Sequence, residues 1–262
     1  MPFTPAHAVV ALPFVRTPLV AAAIAVGAMM PDLPLYLRVG PGYWVTHAWW
    51  AVLPVDVPLA LVLLLAWRVL LRPAIPELVP RWYVQRLPDS WRDVTAGWRE
   101  TWAGGSIRRA LVLLFSLAIG VASHLVWDAF THEGRCGSAL IPGSNSDLSG
   151  MPLWEWVALA SSVLGLIGLC AWLQIWCTRR TPRDVTYPTP TWVLAIAVAL
   201  LPLSLLAGGV LVAAVRGDGN SSGWILFLER SGTSGAAIAL VGLTLLAAGT
   251  RGSLARHARD AS

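Results

Sequence analysis

Five apolar runs dominate this sequence: Ala51–Leu71, Ile107–Phe130, Leu153–Cys177, Thr191–Val215 and Thr233–Thr250. Each is long enough to cross the roughly 30 Å hydrocarbon core of a bilayer as a helix. Backbone inside hydrocarbon has to satisfy its own hydrogen bonds, and a helix does so within one segment. Composition agrees: only 13% of residues are charged, against about 25% in a soluble domain. The expectation is an all-α, polytopic membrane protein with five long spans plus a short N-terminal helical hairpin. It would form a single membrane domain over residues 1–262, with the chemistry in 1–152 and scaffold spans and a tail in 153–262.

Every basic side chain is arginine, 19 in all. Arg68, Arg72, Arg81, Arg86, Arg92, Arg99, Arg108 and Arg109 flank the loop between the first two runs. Arg179, Arg180 and Arg183 follow the third run, and Arg251, Arg256 and Arg259 follow the fifth. The positive-inside rule puts these on the cytoplasmic side, with Arg38, Arg135, Arg216 and Arg230 outside. This placement explains the formal charge of +5 without a nucleic-acid partner, and none is expected. Cys136, Cys170 and Cys177 lack metal-type or disulfide-framework spacing, and the start Met1–Pro5 lacks the basic residues of a cleaved signal.

A sixth apolar stretch, Leu19–Met30, is too short to cross comfortably. Thr4 can cap a helix with Pro5 in its first turn, and Arg16-Thr17-Pro18 interrupts the run. Two short arms would return His7 to the level of Asp32, on the outer face. An ordinary tilted first span would instead leave His7 on the cytoplasmic side, and hydropathy admits both. Tyr43, Trp44, Trp49 and Trp50 around His47 read as an interfacial aromatic belt. Asp56, between Pro54 and Pro58, is expected to be partly buried early in the next span. Within Ser90–Trp102, the residues Trp91, Val94, Trp98 and Trp102 share one face, as in an amphipathic helix lying on a membrane.

The chemistry concentrates in Ser123–His132. His124, Asp128 and His132 recur at steps of four, which on a helix forms one polar stripe. Ionisable groups in an apolar helix are costly and mark function. His47, His124, His132, Asp32 and Asp128 all fall on the outer side by an orientation argument that ignores their chemistry, and the hairpin adds His7. Imidazole and carboxylate donors suit zinc, with manganese or iron as alternatives. Six ligands exceed one four-coordinate ion, so one or two ions are expected.

The start M-P-F-T-P-A-H, the Met30-Pro31-Asp32 step, Thr46-His47 and Ser123-His124-x-x-x-Asp128-x-x-Thr131-His132 resemble an uncharacterised bacterial membrane-protein family. They also resemble related inner-membrane metal-dependent hydrolases. More remotely, the ligand order is similar to that of the zinc-dependent phospholipase C and single-strand nuclease superfamily. That resemblance implies His7, Asp32, His47, His124, Asp128 and His132 as metal ligands, in an enzyme of the bacterial inner membrane. A second downstream His-x-x-x-Glu pair is missing here, with Asp147 or Glu155 as substitutes. The expected function is a metal-dependent hydrolase of a phosphoester in a lipid or lipid-linked substrate. Asp32 or Asp128 would bridge metals, Arg135 would pair with the phosphate, and the bilayer itself would be a partner. Two alternatives use the same residues: a transporter or metal-handling protein, and a structural protein with a hydrogen-bonded His/Asp clamp.

Overall fold

The computed structural model describes residues 3–37, 40–102, 106–185, 190–216 and positions 239, 242, 243 and 246. The molecule is mainly helical, with a two-residue antiparallel ladder pairing Asp147–Leu148 with Met151–Pro152. Among the described residues, three helices are long and apolar enough to cross a membrane: Trp49–Glu77, Ile107–Thr131 and Leu153–Thr178. The fourth apolar run forms the helix Thr191–Arg216. The fifth, Thr233–Thr250, lies almost wholly outside the described residues. The chain divides into two compact units, Met1–Leu65 with Trp102–Arg179, and Ala66–Thr101 with Arg180–Ser262.

In the first unit, the N-terminal arm Thr4–Phe14 is a 3₁₀ helix and the return arm Ala21–Met29 is an α-helix packed against it. In a 3₁₀ helix, residues i and i+3 eclipse. Thr4 and His7 therefore stand above one another, both buried. The arms are held by their otherwise unpaired N–H groups. Phe3 N–H donates to Ser162 Oγ at 2.8 Å, and Val20 N–H donates to Ser116 Oγ at 3.0 Å. Glycine permits the close approach of the return arm to the central helix Ile107–Thr131. A Cβ on Gly27 would strike the Leu117 carbonyl, and one on Gly120 would strike the Ile24 carbonyl. Away from these contacts the helices bare Leu111, Phe115, Leu164 and Ile167, surfaces too apolar for water and suited to lipid.

The first long helix is irregular. Val52–Asp56 and Trp67–Leu71 are π-helical, the first marked by the Val57 N–H reaching back to the Val52 carbonyl. Pro58 has no N–H to bond the Pro54 carbonyl in α register, so the ladder must shift there.

In the second unit, Arg68 and Arg72 are buried rather than solvated at a helix end. Arg68 donates to Thr101 Oγ1 at 2.9 Å and Arg72 to Glu100 at 2.5 Å, while Gly97 lies flush on the Arg68 backbone. Two of the arginines that read as topology signals are thus also structural clasps. The amphipathic helix begins at Val94, after a 3₁₀ turn over Asp89–Trp91, and leaves Val94, Trp98 and Trp102 exposed.

Candidate metal centre

Four side chains from three separate stretches meet in the first unit. The central helix supplies His124 and Asp128, one turn apart and both buried. His47 ends the short helix Tyr43–Thr46. Asp32 closes a 3₁₀ turn, Met30–Asp32, started by Pro31. The Thr46 hydroxyl donates to the Pro31 carbonyl at 2.7 Å, tying the His47 loop to the Asp32 turn. The Thr4 hydroxyl donates to Asp32 Oδ2 at 2.5 Å, leaving Oδ1 to face the histidines.

One ligand atom from each of the four lies within 4.8 Å of all the others, and all four residues are buried. His47 Nε2 is 3.5 Å from Asp32 Oδ1 and 3.4 Å from Asp128 Oδ2. His124 Nε2 is 3.6 Å from Asp32 Oδ1, 3.4 Å from Asp128 Oδ2 and 3.3 Å from His47 Nε2. A tetrahedron with arms of 2.0–2.2 Å has edges of about 3.3–3.6 Å. Five of the six edges fall in that range, so the donor set fits a metal ion.

The tautomers are set by backbone carbonyls, which can only accept. His124 Nδ1 is 2.8 Å from the Ala28 carbonyl, and His47 Nδ1 is 2.9 Å from the Tyr43 carbonyl. Both Nδ1 atoms therefore carry hydrogen in the neutral ring, and both Nε2 lone pairs point at each other. Two facing lone pairs need a proton or a cation between them. A carbonyl behind Nδ1 is the usual second-shell device that aims a metal-ligating histidine.

Further residues surround this group. His7 Nε2 is 3.7 Å from Asp128 Oδ1, and its ring stacks on that of His124 with centroids 4.2 Å apart. His132 Nδ1 is 3.1 Å from the Asp128 carbonyl and 3.6 Å from Asp128 Oδ2. The Nε2 atoms of His7 and His132, Asp32 Oδ1 and both oxygens of Asp128 are buried with no hydrogen-bond partner among the described residues. Burial, and then His124, pull His7 down to about 4, so its ring is neutral and free to act as a donor. Burial also opposes charge on His47, but the Asp128 and Asp32 carboxylates beside its Nε2 outweigh it and raise His47 to about 9. Burial alone would raise the Asp32 carboxyl; His124 and His47 beside it hold it below its ordinary range.

All six histidine and aspartate residues singled out in the sequence are therefore within one neighbourhood, including His7 from the 3₁₀ arm. Arg135 lies at its edge, close enough to act electrostatically on the Tyr43 hydroxyl. Tyr43 reads in the sequence as one of the belt aromatics, yet its ring stacks on His47 with centroids 3.7 Å apart. Its spacing of four from His47 was the available signal. Thr4 and Thr46 carry no signal beyond their place in short motifs. Asp147 is exposed and accepts the Gly150 N–H at 2.6 Å, away from the ligand group.

Fold and site together define a helical protein with candidate membrane spans and a buried His/Asp group able to hold a metal ion. The chain belongs to the family described as a domain of unknown function, DUF4184, whose model matches residues 1–248. Neither curated proteins nor solved structures give a significant match.

Proposed function

We propose that this protein is a membrane-embedded, metal-dependent hydrolase of a phosphoester in a lipid or lipid-linked substrate. The observation that carries the reading is the pair of facing Nε2 atoms of His47 and His124, flanked by Asp32 and Asp128 at tetrahedral spacing. Nitrogen and carboxylate donors in that arrangement favour zinc, with manganese or iron as alternatives. A divalent ion there supplies Lewis acidity toward a phosphoryl oxygen and makes water more acidic. Asp32, His47, His124 and Asp128 hold the ion. His7 and His132, on either side of the Asp128 carboxylate, extend the donor set toward a second ion.

Arg135, beside Tyr43 at the rim, pairs with the substrate phosphate through charge-assisted hydrogen bonds. The exposed indoles of Trp44, Trp49 and Trp50 set this rim at headgroup level, where amphipathic rings prefer to lie. In this reading the protein sits in a bacterial inner membrane, with the site outward and the C-terminus cytoplasmic. The apolar runs Thr191–Val215 and Thr233–Thr250 carry no acid or histidine. Transport would use such groups to cross the bilayer, so hydrolysis is the better reading.

Metal analysis of the detergent-purified chain, followed by phosphate-release assays on phospholipid in mixed micelles, tests this. One or two equivalents of transition metal, with activity lost to chelator and regained with zinc, is the expected result. A chain that carries no metal and takes none up on titration sinks the proposal.

A further inference from the structure

Asp56 is buried in the first long helix, with 0% of its surface exposed. Neither carboxylate oxygen has a hydrogen-bond partner among the described residues. Among those residues, buried carboxylate oxygens left unpartnered in this way occur only on Asp32, Asp56 and Asp128. The other two belong to the metal centre.

Its position follows from the local sequence. Pro54 and Pro58 force the π-helical register over Val52–Asp56, and single π turns inside α-helices are frequent at functional sites. This turn packs against the central helix, which carries His124 and Asp128, and against the short helix Tyr43–Thr46 that leads into His47. The ionisable groups on and beside those elements are Tyr43, His47, His124 and Asp128, with Arg108 and Arg109 in the first turn of the central helix; the adjoining Trp49–Ala51 turn adds none. Asp56 is coupled electrostatically to His47 and His124.

A carboxyl group shut away from water with nothing to bond is destabilising in either protonation state. A structural role would require a partner, and none of the described residues supplies one. Asp56 is not in the set of ligand atoms that lie within 4.8 Å of one another, and, unlike His7 and His132, it forms no ion pair with a member of that set, so it is not assigned as a direct ligand. Contact through water remains. We propose that Asp56 is a further member of the metal centre, a carboxylate that accepts hydrogen bonds from the water a bound cation carries. This rests on the metal-centre reading and adds to it a positioning residue that lies outside every motif of the sequence.

The test uses the full chain in detergent, titrated with Zn²⁺ and separately with Co²⁺. Asp56→Asn keeps the shape and removes the charge. The expected result has three parts. The metal-free variant melts at or above the wild-type temperature, because a lone buried charge is gone. Metal stoichiometry and the Co²⁺ visible spectrum stay as in the wild type, because the inner ligands are intact. Affinity falls about 10–100-fold, the usual effect of losing an outer-shell partner. Asp56→Val, close in shape and wholly apolar, should weaken binding at least as much and serves if the amide variant does not fold. Unchanged affinity in both variants overturns the proposal, as does a lower metal-free melting temperature with affinity intact. A changed Co²⁺ coordination spectrum would make Asp56 a direct ligand and also overturn it. A wild-type chain that binds neither ion defeats the underlying metal reading instead, and is recognised by needing no variant to show it.

Discussion

Asp128→Asn is the most informative single change at the centre. Its carboxylate faces four histidines, with Oδ2 3.4 Å from both His47 and His124 and 3.6 Å from His132, and Oδ1 3.7 Å from His7. Asparagine keeps the volume and removes the charge. In the metal-free protein, Asp128 and Asp32 together raise His47 from 6.5 to about 9. A raised histidine stabilises the folded state fully below its unfolded value, and that stability is lost as pH rises through the folded value. At 1.36 kcal/mol per unit the contribution is about 2.5 kcal/mol at pH 7, close to its full value of about 3 kcal/mol at pH 6, and gone above roughly pH 9.5. Because burial opposes the charge, the two carboxylates together contribute more than this net figure, so Asp128→Asn should remove at least about 1 kcal/mol at pH 7 and almost nothing through this proton at pH 10. It should also abolish high-affinity metal binding, because an amide is a neutral and poorer ligand. Denaturation of the metal-free protein at pH 6, 7 and 10, beside metal titration at pH 7, measures both effects. A variant that keeps wild-type metal affinity, or whose stability deficit is the same at pH 6 and pH 10, would refute the reasoning.

Three further outcomes are expected. Metal uptake at pH 7 should release protons, because the cation displaces the one shared by His47 and His124; indicator dye in weak buffer reads this, and affinity should weaken as pH falls. No proton release with tight binding would mean the ion sits elsewhere. Gly120→Ala places a Cβ against the Ile24 carbonyl and the Ala28 amide, so it should cost about 1–3 kcal/mol or more and reduce metal content with it. A fully stable, fully metallated variant would contradict the backbone contact. For topology, a cysteine introduced at position 145 should be labelled by an impermeant reagent from outside and one at position 99 only after permeabilisation; the reverse pattern would invert the proposed orientation.

What the sequence determined by itself is short-range. Hydropathy runs locate the long helices because each must satisfy its backbone within itself. Steps of four put His124 and Asp128 on one stripe because the helical repeat is local; His132 falls one residue past the helix end, with extended backbone, and still reaches Asp128. Arg16-Thr17-Pro18 interrupts the first apolar stretch because proline cannot continue a helix. The resemblance added the ligand order across stretches that spacing alone cannot join.

The tertiary structure decided everything that depends on which surfaces touch. Gly27 and Gly120 read as ordinary small residues until their backbones meet. The carbonyls of Ala28 and Tyr43 aim two imidazoles at one point, and no residue type records where a carbonyl will lie. Arg68 and Arg72 read as topology signals, and only packing against Gly97, Glu100 and Thr101 shows that they are also clasps. Asp56 read as partly buried beside two prolines; its complete burial and missing partners follow from the shifted register of its helix and the helices closed over it. Local rules act within a few residues along the chain, whereas these contacts join positions far apart in sequence and exist only once the helices have packed.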